Sequence, residues 1–109
     1  MQYPKMNYIR SRKLMSAYRQ IPCQICGVND GTVVGAHSNQ SKHGKGRGIK
    51  ASDIYCASLC HKCHHTIDQG TFYNEDEKRD LWNIAHAATV NELLRHDLYP
   101  KGIKYESIE

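Results

Sequence analysis

The sequence predicts a small α+β domain, on three observations. Two C-x-x-C pairs, Cys23 with Cys26 and Cys60 with Cys63, are separated by 33 residues. A short β-prone run leads into the histidine after the first pair, and another delivers the second pair. Helical patterns flank this core, a basic one over about residues 9–20 and an apolar-striped one over about 74–98. The chain of 109 residues has room for one compact domain, 1–109, with its core at about 20–72. Only 39% of residues are hydrophobic, so the apolar core is modest. Domains of this kind are commonly stapled by a disulfide or a metal ion.

Taken in order, IRSRKLMSAYRQ over 9–20 places Ile9, Leu14, Met15 and Tyr18 on one side of a short helix. Pro22 ends it and leads into Cys23-Gln24-Ile25-Cys26-Gly27, where Gly27 lets the backbone fold back. Asn29-Asp30-Gly31 is a turn, and Thr32-Val33-Val34 begins a strand that runs to Gly35-Ala36-His37. Ser38 to Lys50 is glycine-rich, with Ile49 its lone apolar residue, and reads as a loop that becomes fixed on meeting a partner. A second strand spans Ile54 to Leu59, with Cys56 in the core. His64 to Gln69 forms a helical turn or two stopped by Gly70. Asn74, with Glu77 at the capping-box position, opens the last helix. Its apolar stripe is Leu81, Ile84, Ala85, Ala88, Leu93 and Leu94, with Pro100 and Gly102 ending it. Trp82 is read as core, and the tail KYESIE has no clear structure.

Composition narrows the class. No run of about 18 apolar residues is present, which excludes a spanning helix, and MQYPKMNYIRSRKLM lacks the apolar stretch of a signal peptide. The expected location is therefore the reducing cytoplasm, where cysteines favour metal over disulfide. The formal charge of +4 leans towards nucleic acid. Arg10, Arg12, Lys13 and Arg19 precede the first cysteine pair, Lys42, Lys45, Arg47 and Lys50 share the glycine-rich loop, and acids concentrate after Asp68. The chain has a basic front and an acidic rear.

Four cysteines supply the number of soft ligands that a tetrahedral structural Zn²⁺ requires. The second pair lies where a strand meets a helix N-terminus, which favours thiolates. A structural zinc leaves the histidines unexplained. His64 and Asp68, four residues apart, fall on one helix face and could hold a divalent ion with open positions. His37 at the strand end could then serve as a general base. The plainer readings make His64 a cap or spare zinc ligand and Asp68 a solvated acid. His61 and His65 point to other helix faces, with His65 within reach of phosphate. His43 is read as a DNA contact, and His86 and His96 as structural or exposed. Lys45-Gly46-Arg47-Gly48 has the composition of a phosphate cradle, although glycine-rich loops are common.

The order Cys23-x-x-Cys26, Ala36-His37, Asp53, Leu59-Cys60-x-x-Cys63-His64-His65-x-x-Asp68-x-Gly70 resembles the HNH, or ββα-metal, nuclease superfamily over about residues 10–98. Within it the chain looks most like the small phage- and prophage-encoded YbcO-like nucleases. The resemblance implies a zinc-bound treble-clef or ββα-metal core, with the N-terminal basic helix and the C-terminal helix packed on it. Cys23, Cys26, Cys60 and Cys63 would hold structural Zn²⁺, and His64 and Asp68 a catalytic Mg²⁺ or Mn²⁺. His37 matches the general base, and Asp53 falls near the middle asparagine that orients it. Lys45, Arg47, Arg19 and His65 would contact DNA, the expected partner, with no membrane and no small-molecule cofactor. The implied reaction is phosphodiester hydrolysis in phage recombination, replication or packaging. One departure stands out: many such nucleases carry a metal-binding aspartate or histidine before the base, and here that residue is Ala36. Either two protein ligands suffice, or His37 is itself a ligand. The rival reading is a zinc-stabilised DNA-binding module without catalysis.

Overall fold

The computed structural model describes residues 8–105. Residues 1–7 of the basic N-terminal stretch and 106–109 of the tail lie outside the described residues. Among those described, the order is α1 (Arg12–Tyr18), β1 (Val34–His37), a 3₁₀ turn (Ser41–His43), β2 (Cys56–Leu59), α2 (His61–Asp68) and α3 (Glu75–Arg95). The described residues thus form an α+β structure with a two-stranded antiparallel sheet and three α-helices. No helix of the described residues is long and apolar enough to cross a membrane.

The strands pair Val34 with Leu59, Gly35 with Ser58, Ala36 with Ala57 and His37 with Cys56. Because side chains alternate across a strand, this register sorts them onto two faces. One face meets α1. A Cβ on Gly35 would come within 2.6 Å of the Tyr18 ring, so only glycine admits that approach. Ser58 Oγ donates to the Tyr18 carbonyl at 2.7 Å, and Cys56 packs with Leu14, Tyr18 and Leu93. The opposite face carries Ala36, Ala57 and Leu59 onto Cys23, Ile67, Trp82 and Ala85. The sheet is therefore packed on both sides, and β2 is buried at every position.

α1 is shorter than the span 9–20 because Ser11 caps it, its side chain accepting from Leu14 N, and because residues 9–11 are engaged elsewhere. Ile9 N donates to Ser52 Oγ at 2.8 Å, Asp53 N donates to the Ile9 carbonyl at 2.8 Å, and Arg10 donates to the carbonyls of Lys50 and Ala51. α2 starts three residues earlier than expected, since the Cys60 side chain caps it. α3 begins as expected: Asn74 Oδ1 accepts from Glu77 N at 2.8 Å, and Glu77 Oε1 accepts from Asn74 N at 2.9 Å.

Three expectations are corrected. The α3 stripe is displaced by one helical position. Ile84 and Leu94 are 67% and 40% exposed, and the buried residues are Trp82, Ala85, His86, Thr89, Val90 and Leu93. Polar residues enter this face because their polar atoms are satisfied: Trp82 Nε1 donates to the Ala36 carbonyl, and Thr89 Oγ1 accepts from Ser58 N. The helix ends well before Pro100. Asp97 takes φ 56°, Leu98 N donates to the Leu93 carbonyl at 2.8 Å and Asp97 N to that of Leu94 at 3.2 Å, a Schellman stop made with aspartate in place of glycine. Lastly, the 38–50 loop does not present His43 to solvent. His43 is buried, stacked on Tyr55 at 4.2 Å between ring centroids, with Nδ1 bonded to Ser38 Oγ at 2.7 Å. It is a packing residue and not a surface contact for DNA.

Candidate functional site

The four cysteines converge as their spacing predicts. In the first knuckle, Cys23 N donates to the Val28 carbonyl and Gly27 N to that of Cys23, with Gly27 at φ 79°. Gln24 N donates to the Ser58 carbonyl, tying this turn to β2, which delivers Cys60 and Cys63 at its end. The sulfurs of Cys23, Cys26, Cys60 and Cys63 all lie within 4.8 Å of one another, and those of Cys26 and Cys60 are 3.7 Å apart. Four sulfurs at about 2.3 Å from one tetrahedral ion stand about 3.8 Å apart, so the cluster has the dimensions of a structural metal site such as zinc.

The four sulfurs differ in their electrostatics. Burial works against a Cys23 thiolate, but the backbone N–H groups of Cys26, Cys60 and Ile25 outweigh it and draw its pKa down to about 7. Burial and the neighbouring sulfurs push Cys63 well above the ordinary thiol value, and burial raises Cys60. Four thiols this close cannot all ionise without a cation to compensate them. Cys56 stands apart as a fully buried thiol, raised by burial and then by the Asp53 charge.

His37 is half-buried, with Nε2 2.8 Å from Asp53 Oδ1. A carboxylate can only accept, so in this contact Nε2 is the donor and Nδ1 is the ring nitrogen left facing away from Asp53. Asp53 is buried and held in turn. Its Oδ2 accepts from Ser11 N at 2.7 Å, and Arg10 lies 3.5 Å from Oδ1. His37 shares the α1-facing side of β1 with Gly35. It borders a cleft of about 520 Å³ lined also by Arg10, Arg12, Arg19 and Lys50.

His64 and Asp68 also pair, Nε2 to Oδ2 at 3.0 Å across one turn of α2. The hydrogen bond that His64 donates to Asp68 raises the His64 pKa against the effect of burial. Burial opposes the Asp68 carboxylate, but His64, then Asn39 and the Lys45 charge, hold its pKa below the usual value. The 3.0 Å separation is that of a direct hydrogen bond, in which His64 Nε2 donates and Asp68 Oδ2 accepts. Among the described residues no third His, Cys, Asp or Glu joins these two.

His37, His64 and Asp68 are therefore arranged as two pairs, His37 with Asp53 and His64 with Asp68. Among the described residues no hydrogen bond or ion pair joins them. The strand residue that packs towards α2 is Ala36, which sits with Ile67 in the core. Of the remaining expected contacts, Arg19 borders the His37 cleft, and Lys45 is near enough to Asp68 to act on its charge. Arg47 is exposed at a tight turn closed by reciprocal hydrogen bonds between Gly46 and Ile49, and His65 is exposed on α2. Sequence reasoning missed Arg10 and Ser11 as supports of Asp53, and Asn39 as a partner of Asp68. For Asn39 a signal existed, since it follows the candidate base by two residues at a strand exit. Comparison with known family models, curated proteins and solved structures finds no match.

Proposed function

We propose that this protein is a zinc-stabilised, metal-dependent DNA endonuclease of the HNH type, with a treble-clef or ββα-metal core. The observation that carries the reading is the His37–Asp53 contact at 2.8 Å beside a cleft of four cations. An imidazole whose Nε2 proton is held by a buried carboxylate presents Nδ1 as a base and is stabilised when it takes a second proton. In the proposed hydrolysis His37 accepts a proton from the attacking water at Nδ1, and Asp53 stabilises the resulting imidazolium. Arg12, Arg19 and Lys50 hold the phosphate backbone and carry no sequence information. His64 and Asp68 would bind Mg²⁺ or Mn²⁺, which supplies charge neutralisation at the non-bridging oxygen and the leaving group. The expected products carry 5′-phosphate and 3′-hydroxyl ends, and phage DNA recombination, replication or packaging is the setting this reading suits.

The experiment is nicking of supercoiled plasmid with Mg²⁺ or Mn²⁺ by wild type, His37→Ala and His64→Ala. Loss of cleavage in both variants is expected. Equal nicking by all three proteins would assign the activity to a contaminant. A second reading, a DNA-binding module without catalysis, draws support from Ala36 and from the two-ligand set at His64 and Asp68. It expects salt-sensitive DNA binding that survives His64→Ala, and no cleavage with any metal.

A further inference from the structure

The Asp53 carboxylate is met from two sides. His37 Nε2 meets Oδ1 at 2.8 Å, and Ser11 N donates to Oδ2 at 2.7 Å. Arg10 approaches the same oxygen as His37, with Nη1 3.5 Å from Oδ1. Its guanidinium also donates through Nη1 to the Ala51 carbonyl at 2.6 Å and through Nη2 to that of Lys50 at 2.8 Å. We propose that Arg10 is a positioning residue, not a phosphate contact: it ties residues 50–51 to the Asp53 carboxylate and so keeps Oδ1 turned towards His37. The inference rests on the reading of His37 as the general base.

The main chain of Asp53 is fixed without Arg10. Its N donates to the Ile9 carbonyl at 2.8 Å, and its carbonyl accepts from Tyr18 Oη at 2.7 Å. What remains is the side-chain torsion, which decides whether Oδ1 faces the imidazole. The bond from Ser11 N fixes Oδ2 alone, and a carboxylate held at one oxygen can pivot about it. A guanidinium is a rigid planar fork, so one anchored on two carbonyls presents its charge to Oδ1 from a set place. Arg10 is itself backed by the Tyr8 ring, 5.0 Å from guanidinium to centroid, and Tyr8 Oη donates to the Gly44 carbonyl at 2.9 Å. Both Nη nitrogens of Arg10 are thus committed to the protein. In this it differs in role from Arg12, Arg19 and Lys50, which line the same cleft and hold phosphate in the proposed reaction. A misplacement of about 1 Å at a reacting group can cost about 100-fold in rate.

The test compares zinc-loaded wild type, Arg10→Gln and Arg10→Lys by three measurements. These are the ¹H–¹⁵N correlations of the His37 imidazole in its neutral form, assigned with His37→Ala; duplex DNA binding against salt; and single-turnover plasmid nicking with Mg²⁺. Wild type is expected to hold one tautomer, with the proton on Nε2. In Arg10→Gln the two tautomers should mix, and nicking at saturating protein should slow by about 10- to 100-fold. Its DNA affinity and salt slope should stay as in wild type, unlike those of a variant that loses a phosphate contact. Arg10 is exposed, and wild-type DNA binding reports that each variant is folded. Arg10→Lys keeps the charge without the fork and should fail as Arg10→Gln does; recovery by lysine would overturn the positioning role. So would Arg10→Gln with the wild-type tautomer and rate, or with a salt slope reduced by about one and an unchanged saturated rate. Wild type with mixed tautomers, or without nicking, would remove the reading of His37 as the base, and this inference with it.

Discussion

Cys26 is exposed, yet its sulfur stands 3.7 Å from that of buried Cys60, a distance that only a shared ion or a fortuitous thiol contact produces. With an ion, Cys26→Ser and Cys60→Ser should both lose the metal, and with it stability comparable to that of a whole small domain. Atomic absorption and thermal melting read this directly; unchanged metal content in both variants would rule the clamp out. The His64–Asp68 pair makes a pH prediction. The raised His64 value contributes stability below the unfolded imidazole pKa and loses it as pH rises through the folded one. The depressed Asp68 value contributes above the unfolded carboxyl pKa and is lost as pH falls through the folded one. The pair therefore stabilises the metal-free protein between those limits, and Asp68→Asn should lower the His64 midpoint in an NMR titration. No downward movement would mean that the contact does not persist in solution. Residue spacing made both of these sets readable in advance. His43 was not readable, because a histidine in a glycine-rich loop carries no mark of the ring it stacks on.

α3 separates what local chemistry specifies from what packing decides. Its start was written in Asn74 and Glu77, because a capping box is satisfied within four residues. Asn74→Ala should reduce stability by about 1 kcal/mol, seen as a lower urea midpoint at unchanged slope. The buried face was not so written, since ranking residues by apolarity favours Ile84 over His86 and Thr89. Burial instead follows hydrogen-bond supply: Thr89 Oγ1 donates to the Ala85 carbonyl at 2.7 Å and accepts from the buried Ser58 N at 3.0 Å. Thr89→Val keeps the shape but leaves Ser58 N without an acceptor, a loss of about 1–3 kcal/mol that Thr89→Ser should avoid. Equal unfolding midpoints for the valine and serine variants would count against this account.

Over the whole molecule, the sheet is a partition. α1 with Arg10, Arg12 and Arg19 lies on the His37 face, whereas Ala36 and its core neighbours lie on the other. The pairing of His37 with Asp53 was legible only as a resemblance, because the alternation of β1 that turns Ala36 and His37 to opposite sides depends on a register the sequence does not state. The cation-lined cleft yields a binding prediction. Arg19→Ala should weaken binding to duplex DNA and reduce the slope of log K against log salt by about one, as expected for one lost phosphate contact. An unchanged slope in a fluorescence-anisotropy titration would exclude Arg19 from the contact.

Trp82 is the sole tryptophan of the chain, and its indole donates at 3.0 Å to the carbonyl of Ala36, the residue just before the candidate base. The protein thus carries an intrinsic optical reporter wired to the strand exit. A shift in emission wavelength or intensity on adding a divalent ion or an oligonucleotide would register rearrangement there without any label.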